Sequence, residues 1–183
     1  MRRFTLGARL ALCASMVRDG VSLADVGTDH AHLPVDLALR GKVKSAVASD
    51  VRPGPLRAAE KNVARYGVSE LVSLRLSDGL DRVLPNEADD IVIAGMGGEL
   101  IAKIIGRAGW LKDTGKRLIL QPMTSESELR VFLARQGFSI LREEAVSEGN
   151  HVYTVMLSAY CPDQIVIDLS LIHISEPTRP ERI

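Results

Sequence analysis

The stretch Leu23-Ala24-Asp25-Val26-Gly27-Thr28-Asp29-His30-Ala31-His32-Leu33-Pro34 decides the fold of this chain. An apolar strand runs into one glycine, and Pro34, with its fixed φ and missing N–H, suits the first turn of a following helix. That is the strand, turn and helix layout of a nucleotide-binding α/β domain. Dinucleotide-binding turns repeat glycine as G-x-G-x-x-G, because a pyrophosphate must approach bare N–H groups at a helix N-terminus. Here the second and third glycines are missing, and Asp25 and Asp29 flank Gly27 and Thr28 instead. Two carboxylates repel a diphosphate and favour a cationic ligand.

Outward from this turn, strand patterns at 22–26, 45–50, 72–77, 90–94 and 117–121 alternate with helical patterns at 34–40, 55–66, 99–108 and 125–136. Such alternation predicts a largely parallel sheet. Thr124 stands where the last helix needs an N-cap, and Gly137 where it needs a stop. Two further strands, 139–146 and 151–159, are separated only by Ser147-Glu148-Gly149-Asn150. Four residues cannot hold a crossover helix, so these strands form an antiparallel hairpin. Ahead of the first strand, Leu6, Leu10, Cys13 and Val17 recur at helical spacing, and Arg9 interrupts that apolar run. The interruption argues against a signal peptide.

The chain has 183 residues, 46% hydrophobic and 25% charged, with 23 basic against 23 acidic side chains. One α/β core is expected, and net charge gives no argument for a polyanion partner. Its two cysteines, Cys13 and Cys161, form no C-x-x-C pair, which argues for a reducing cytoplasm and against a zinc site. No run approaches the roughly 20 apolar residues of a membrane-spanning helix.

The candidate site residues follow from the carboxyl edge of such a sheet, where open α/β folds place ligands. Asp50 closes the second strand, where a carboxylate accepts hydrogen bonds from ribose hydroxyls. Ser77-Asp78-Gly79 closes the third and offers Asp78 to an adenine amino group, although an Asp-Gly turn needs no ligand. Ala94-Gly95-Met96-Gly97-Gly98 follows the fourth strand, where glycines let backbone approach a ligand. A ligand with an ammonium, a sulfonium, a ribose and an adenine suits this set, and S-adenosyl-L-methionine is such a ligand. The expected fold is therefore α/β: a Rossmann-like, class I methyltransferase sheet of seven mostly parallel strands with a C-terminal antiparallel hairpin. Gln121, ending the fifth strand, either contacts substrate or caps the sheet edge. His30 and His32 with Asp25 and Asp29 do not suggest a metal, because a turn does not readily converge those side chains. Arg2, Arg3, Arg9, Arg18, Lys103, Arg107 and Lys112 are candidate phosphate contacts or a solvated face.

With these residues assembled, the chain resembles the bacterial tRNA adenine N1-methyltransferases that act on the adenine at tRNA position 22. The resemblance spans about 6–160 and rests on the run from Asp25 to Pro34, Ala48-Ser49-Asp50, Ser77-Asp78-Gly79-Leu80, Ile93 to Gly98, and Gln121-Pro122. It implies S-adenosyl-L-methionine as cofactor, tRNA as substrate, and a catalytic domain followed by a helical, coiled-coil-like domain that helps to hold tRNA. The catalytic domain is expected over 1–163, with the helical domain absent. Residues 169–183 resemble translated adaptor or vector sequence, so 164–183 is expected to be a non-native tail. The cofactor pocket is expected from Asp25, Gly27, Thr28, Asp29, His30, Asp50, Asp78, Gly79, Gly95, Met96 and Gly97. Asp29, His30, Gly95 and Met96 are expected to face the reacting base. Methylation of a small molecule, or binding of cofactor and RNA without catalysis, are the alternatives. A nicotinamide oxidoreductase is disfavoured by the acidic single-glycine turn.

Overall fold

The structure is a computed structural model that describes residues 5–161. The expectations for 164–183, and for Arg2 and Arg3, lie outside those residues. The chain runs α1 (Ala8–Met16), β1 (Val21–Val26), α2 (His32–Leu39), β2 (Val43–Asp50), α3 (Pro53–Tyr66), β3 (Val72–Leu76), β4 (Asp90–Met96), α4 (Gly98–Arg107), β5 (Arg117–Pro122), α5 (Glu126–Gln136), β6 (Phe138–Glu148) and β7 (His151–Tyr160). The seven strands form one sheet in the order β3-β2-β1-β4-β5-β7-β6. Strands β1 to β5 pair in parallel, and β7 pairs antiparallel with both β5 and β6. The expected parallel sheet and its closing hairpin are both present.

Period-two alternation builds a layer on each face of this sheet. Leu23, Val92 and Ile119 point to one side and pack with Cys13, Leu33, Val35, Ala59 and Val63 from α1, α2 and α3. Ala24, Ile91, Ile93, Leu118 and Leu120 point to the other and meet Ile101, Ile104, Leu129 and Leu133 from α4 and α5. Ile91, Ile93 and Ile119 are fully buried, each contributing roughly 1.5–3 kcal/mol. The β3 to β4 connection carries only a short 3-10 turn at Pro85–Glu87. From it the chain crosses back to place β4 beside β1, so the strand order reverses at the β1/β4 boundary.

Two helix starts differ from the sequence expectation. Helix α2 begins at His32, so Pro34 is its third residue, after Ala31 in a left-handed conformation (φ 57°). Helix α5 is preceded by Ser125 (φ 55°), and no side chain caps it, so Thr124 is not its N-cap. The Thr124 and Ser125 carbonyls instead lie against Gly98, where an added Cβ would overlap the Ser125 carbonyl. Close packing of α4 on α5 thus decides this start. Gly137 ends α5 in a left-handed conformation (φ 88°), as its sequence position predicts.

Arg18 fastens α1 to the sheet. Its Nε and Nη2 donate to Asp90 Oδ1 at 2.8 and 2.6 Å, and its backbone N–H donates to Oδ2 at 2.8 Å. Asp90 is completely buried, so this pair is structural.

Candidate functional site

A cavity of about 440 Å³ opens at the carboxyl ends of β1 to β4, at the point of strand-order reversal. That volume lies within the about 300–1,000 Å³ typical of small-molecule sites. Asp25, Gly27, Thr28, Asp29, Asp50, Asp78, Gly79, Gly95 and Met96 all line it. His30 and Gly97, expected with them, do not. Arg9, Leu10, His32 and Leu33 do, and sequence reading had not placed them there.

The turn after β1 explains the missing glycines. The N–H groups of Gly27 and Thr28 both donate to the Ser49 carbonyl, at 2.8 and 2.9 Å, and the Ala31 N–H donates to Thr28. Those amides are consumed by the neighbouring strand and the turn itself, where a pyrophosphate-binding loop would present them to its ligand. Gly27 is left-handed (φ 72°), and a Cβ on it would be driven into the Met96 methyl. Glycine here thus serves both the turn and the approach of Met96 at the end of β4. Asp29 and Ala31 are also left-handed, at φ 53° and 57°, which costs roughly 1–2 kcal/mol per residue.

Two carboxylates form the floor. Asp25 is 6% exposed and accepts a 2.6 Å hydrogen bond from Thr28 Oγ1. Burial pushes its carboxyl up from 3.8 to about 6; the Thr28 bond opposes that rise, and the nearby Asp50 charge adds to it. Asp50, equally buried, accepts the Arg52 N–H at 2.9 Å. Asp78 is mostly exposed and pairs with Arg107 Nη1 at 3.0 Å, and the hydrogen-bonding guanidinium holds its carboxyl below the usual range. The donor set is therefore an acidic floor with apolar walls from Val26, Leu33, Met96, Leu100 and Ile104.

The glycine-rich end of β4, which runs to Met96 with an irregularity between Ala94 and Met96 where the sequence predicts a loop after Ala94, is held from behind. Gly95 is left-handed (φ 77°), and its N–H donates to Gln121 Oε1 at 3.0 Å. Arg9 Nη1 donates to the same oxygen at 2.6 Å, while Gln121 Nε2 donates to the Pro122 carbonyl at 2.6 Å. Arg9 also lies 3.7 Å from Glu148 and over the Tyr153 ring. Gln121 is completely buried and outside the cavity lining, so of its two expected roles it takes the one at the sheet edge. The signal for Arg9 was its interruption of an apolar helix face.

His30 and His32 stack with ring centroids 5.4 Å apart. His30 lies on the lip, with Nε2 3.6 Å from Asp29 and its carbonyl accepting from Asn62 at 2.9 Å. Burial lowers the His32 pKa. Among the described residues no group of three or more His, Cys, Asp or Glu is arranged to hold a metal ion, and no helix is long and apolar enough to cross a membrane. Of the five described basic residues singled out as candidate phosphate contacts, four are engaged inside the domain: Arg9 with Gln121 and Glu148, Arg18 with Asp90, Arg107 with Asp78 and Asp81, and Lys112 with Gln136.

The profile of the methyltransferase domain family matches residues 6–156. Over 159 residues the chain is 38% identical to the tRNA (adenine(22)-N(1))-methyltransferase of Bacillus subtilis (strain 168), covering 86% of this chain and 66% of that protein. The solved B. subtilis M1A22 tRNA methyltransferase TrmK superposes with a TM-score of 0.82 at 34% identity, covering 86% of this chain and 67% of that one. Streptococcus pneumoniae Sp1610 in complex with S-adenosyl-L-methionine gives a TM-score of 0.80 at 42% identity, over 84% of this chain and 72% of that one. The chain spans 59 to 66% of the length of the curated relatives it matches. It belongs to the methyltransferase domain family and, within it, to the tRNA (adenine(22)-N(1))-methyltransferases.

Proposed function

We propose that this domain uses S-adenosyl-L-methionine to methylate N1 of the adenine at tRNA position 22. The observation that carries the reading is the floor of the cavity. Asp25 and Asp50 are two buried carboxylates whose repulsion a cationic ligand relieves, in a turn whose Gly27 and Thr28 amides are withheld from any phosphate. The relatives named for this reaction, and the S-adenosyl-L-methionine complex of Sp1610, support the same assignment.

Bound in this cavity, S-adenosyl-L-methionine supplies a methyl group on a positively charged sulfonium. Asp25 and Asp29 are suited to its cationic portion, Asp50 to its ribose hydroxyls and Asp78 to its adenine amino group. The apolar walls exclude water from the reacting centre. Adenine N1 carries a free lone pair at neutral pH, so the chain need not remove a proton before attack. Its task is to take the base out of pairing and stacking and to hold N1 in line. Asp29, Gly95 and Met96 line the cavity, and His30 stands beside it; these four are the residues assigned to face the base. Carboxylate and carbonyl oxygens there stabilise positive charge as it moves onto the ring.

The test is methyl transfer to two unmodified tRNA transcripts that differ only in carrying A or G at position 22, with product located by mass spectrometry. Methylation at N1 of A22 alone is expected. Transfer to a small molecule without RNA, or to a different nucleotide, would overturn the assignment.

A further inference from the structure

The described cations sort into two groups once each is matched to its partners. Arg9, Arg18, Arg40, Lys42, Lys44, Arg52, Arg75, Arg107, Arg130 and Arg142 each pair with a carboxylate. Arg57, Lys61 and Arg65 pair with none of the described carboxylates, all three are exposed, and all three lie on α3. The other described cations without a carboxylate partner are Arg82, Lys103, Lys112, Lys116, Arg117 and Arg135; of the three neighbours at 112–117, Lys112 donates to Gln136 Oε1, Lys116 donates to the Pro85 and Ala88 carbonyls, and Arg117 is half-buried. In a chain of zero net charge, α3 therefore carries, among the described residues, a row of three exposed cations that no carboxylate or hydrogen-bond acceptor engages.

Their spacing makes one surface. At i, i+4 and i+8 the three residues stand about 6 Å apart along the axis and drift only about 40° per step. That arc is centred opposite Ala59 and Val63, the residues with which α3 packs into the core. A step of about 6 Å matches the spacing of successive phosphates along one RNA strand. The row is also continuous with the site: Arg52, immediately before α3, lines the cavity and is largely exposed. On the flank of α3 next to Arg65, Asn62 holds the His30 carbonyl of the lip. Arg65 lies over the Tyr66 ring, which limits the freedom of its long side chain.

We propose that the exposed row Arg57, Lys61 and Arg65 on α3 is a docking surface for the phosphate backbone of the RNA substrate; this rests on the tRNA reading above. The row reads no sequence. It supplies attraction and register, holding the strand beside the cavity while the target base is turned inward. A membrane surface fits less well, because the apolar face of α3 is already buried in the core.

The experiment compares the chain with a triple variant, Arg57→Gln, Lys61→Gln and Arg65→Gln, and with a control triple, Arg82→Gln, Arg117→Gln and Arg135→Gln. Binding of unmodified tRNA is measured across a salt series, and calorimetry with S-adenosyl-L-methionine reports an intact cavity in each. The α3 variant is expected to bind tRNA at least tenfold more weakly at low salt. Its salt slope should be shallower by about 2 to 3, for three lost phosphate contacts. Its KM for tRNA should rise with kcat unchanged, and the control should do none of this. Unchanged affinity and slope in the α3 variant of a chain that binds tRNA would overturn the surface and leave the methyltransferase reading standing. Equal losses in both triples would overturn the surface too, as an effect of net charge alone. Failure of the unaltered chain to bind tRNA would overturn both.

Discussion

Arg9 Nη1 and Gln121 Oε1, 112 residues apart in the chain, lie 2.6 Å apart, and the same oxygen accepts the Gly95 N–H at 3.0 Å. One buried amide thus joins α1, the end of β5 and the glycine-rich end of β4. Its position behind the cavity makes it a positioning group for that strand end. Gln121→Leu leaves the Gly95 N–H and the Arg9 guanidinium without their acceptor, at a cost of roughly 1–3 kcal/mol. We expect kcat for tRNA to fall about tenfold or more while the affinity for S-adenosyl-L-methionine changes by less than threefold, with Gln121→Glu restoring part of kcat. Steady-state kinetics alongside calorimetry separates the two. Equal loss of both would assign Gln121 to the cofactor pocket itself.

Asp25 sets stability against binding. Folding raises its carboxyl from 3.8 to about 6, so the folded state holds the proton more tightly than the unfolded chain does. That contribution to stability is complete below about pH 4 and is lost as pH rises through 6, a difference on the order of 3 kcal/mol. Asp25→Asn should therefore raise the ligand-free Tm at pH 7.5 by about 5 °C or more and weaken S-adenosyl-L-methionine binding at least tenfold. The unaltered protein should bind that ligand more weakly as pH falls below 6. Scanning calorimetry and titrations over pH 5–8 test both statements; a lowered Tm with unchanged affinity would refute the role.

Gly27 meets two demands at once, a left-handed backbone and the nearness of the Met96 methyl. Gly27→Ala is expected to cost about 1–3 kcal/mol in chemical denaturation and at least tenfold in cofactor affinity. Adding Met96→Ala opens space without removing the backbone strain. It should recover only part of the lost stability, and full recovery would show that crowding alone mattered.

Away from the cavity, Asp90 is completely buried and bonded three ways to Arg18. Arg18→Met leaves that carboxylate unpaired and should cost about 3–5 kcal/mol. Because the pair lies outside the cavity lining, the variant at a temperature where it is folded should keep its cofactor affinity within threefold. A stability loss below about 1 kcal/mol by urea titration would contradict the structural role.

The sheet was legible in the sequence because short apolar runs alternate with helical patterns, and because the last connection, expected over four residues and only Gly149 and Asn150 in the structure, is too short for a crossover helix. The carboxyl-edge residues were legible for the same reason: each follows directly from where a strand ends. What escaped was contact between segments far apart in the chain. Arg9 is an isolated charge on an apolar helix face, and only folding brings it to Gln121 and the cavity. The first turns of α2 and α5 differ from the sequence expectation because Ala31, within the turn closed on Thr28, and Ser125, packed against Gly98, adopt left-handed conformations. Arg18, Arg107 and Lys112, read as candidate phosphate contacts or a solvated face, have internal partners, which charge counting does not show.

Calorimetric titration of the folded chain with S-adenosyl-L-methionine, with NADH as control, tests the central claim most directly. The account predicts saturable binding at one site, lost in Asp50→Ala, and no heat with NADH. Absence of S-adenosyl-L-methionine binding by the folded protein, or equal binding by Asp50→Ala, would contradict it.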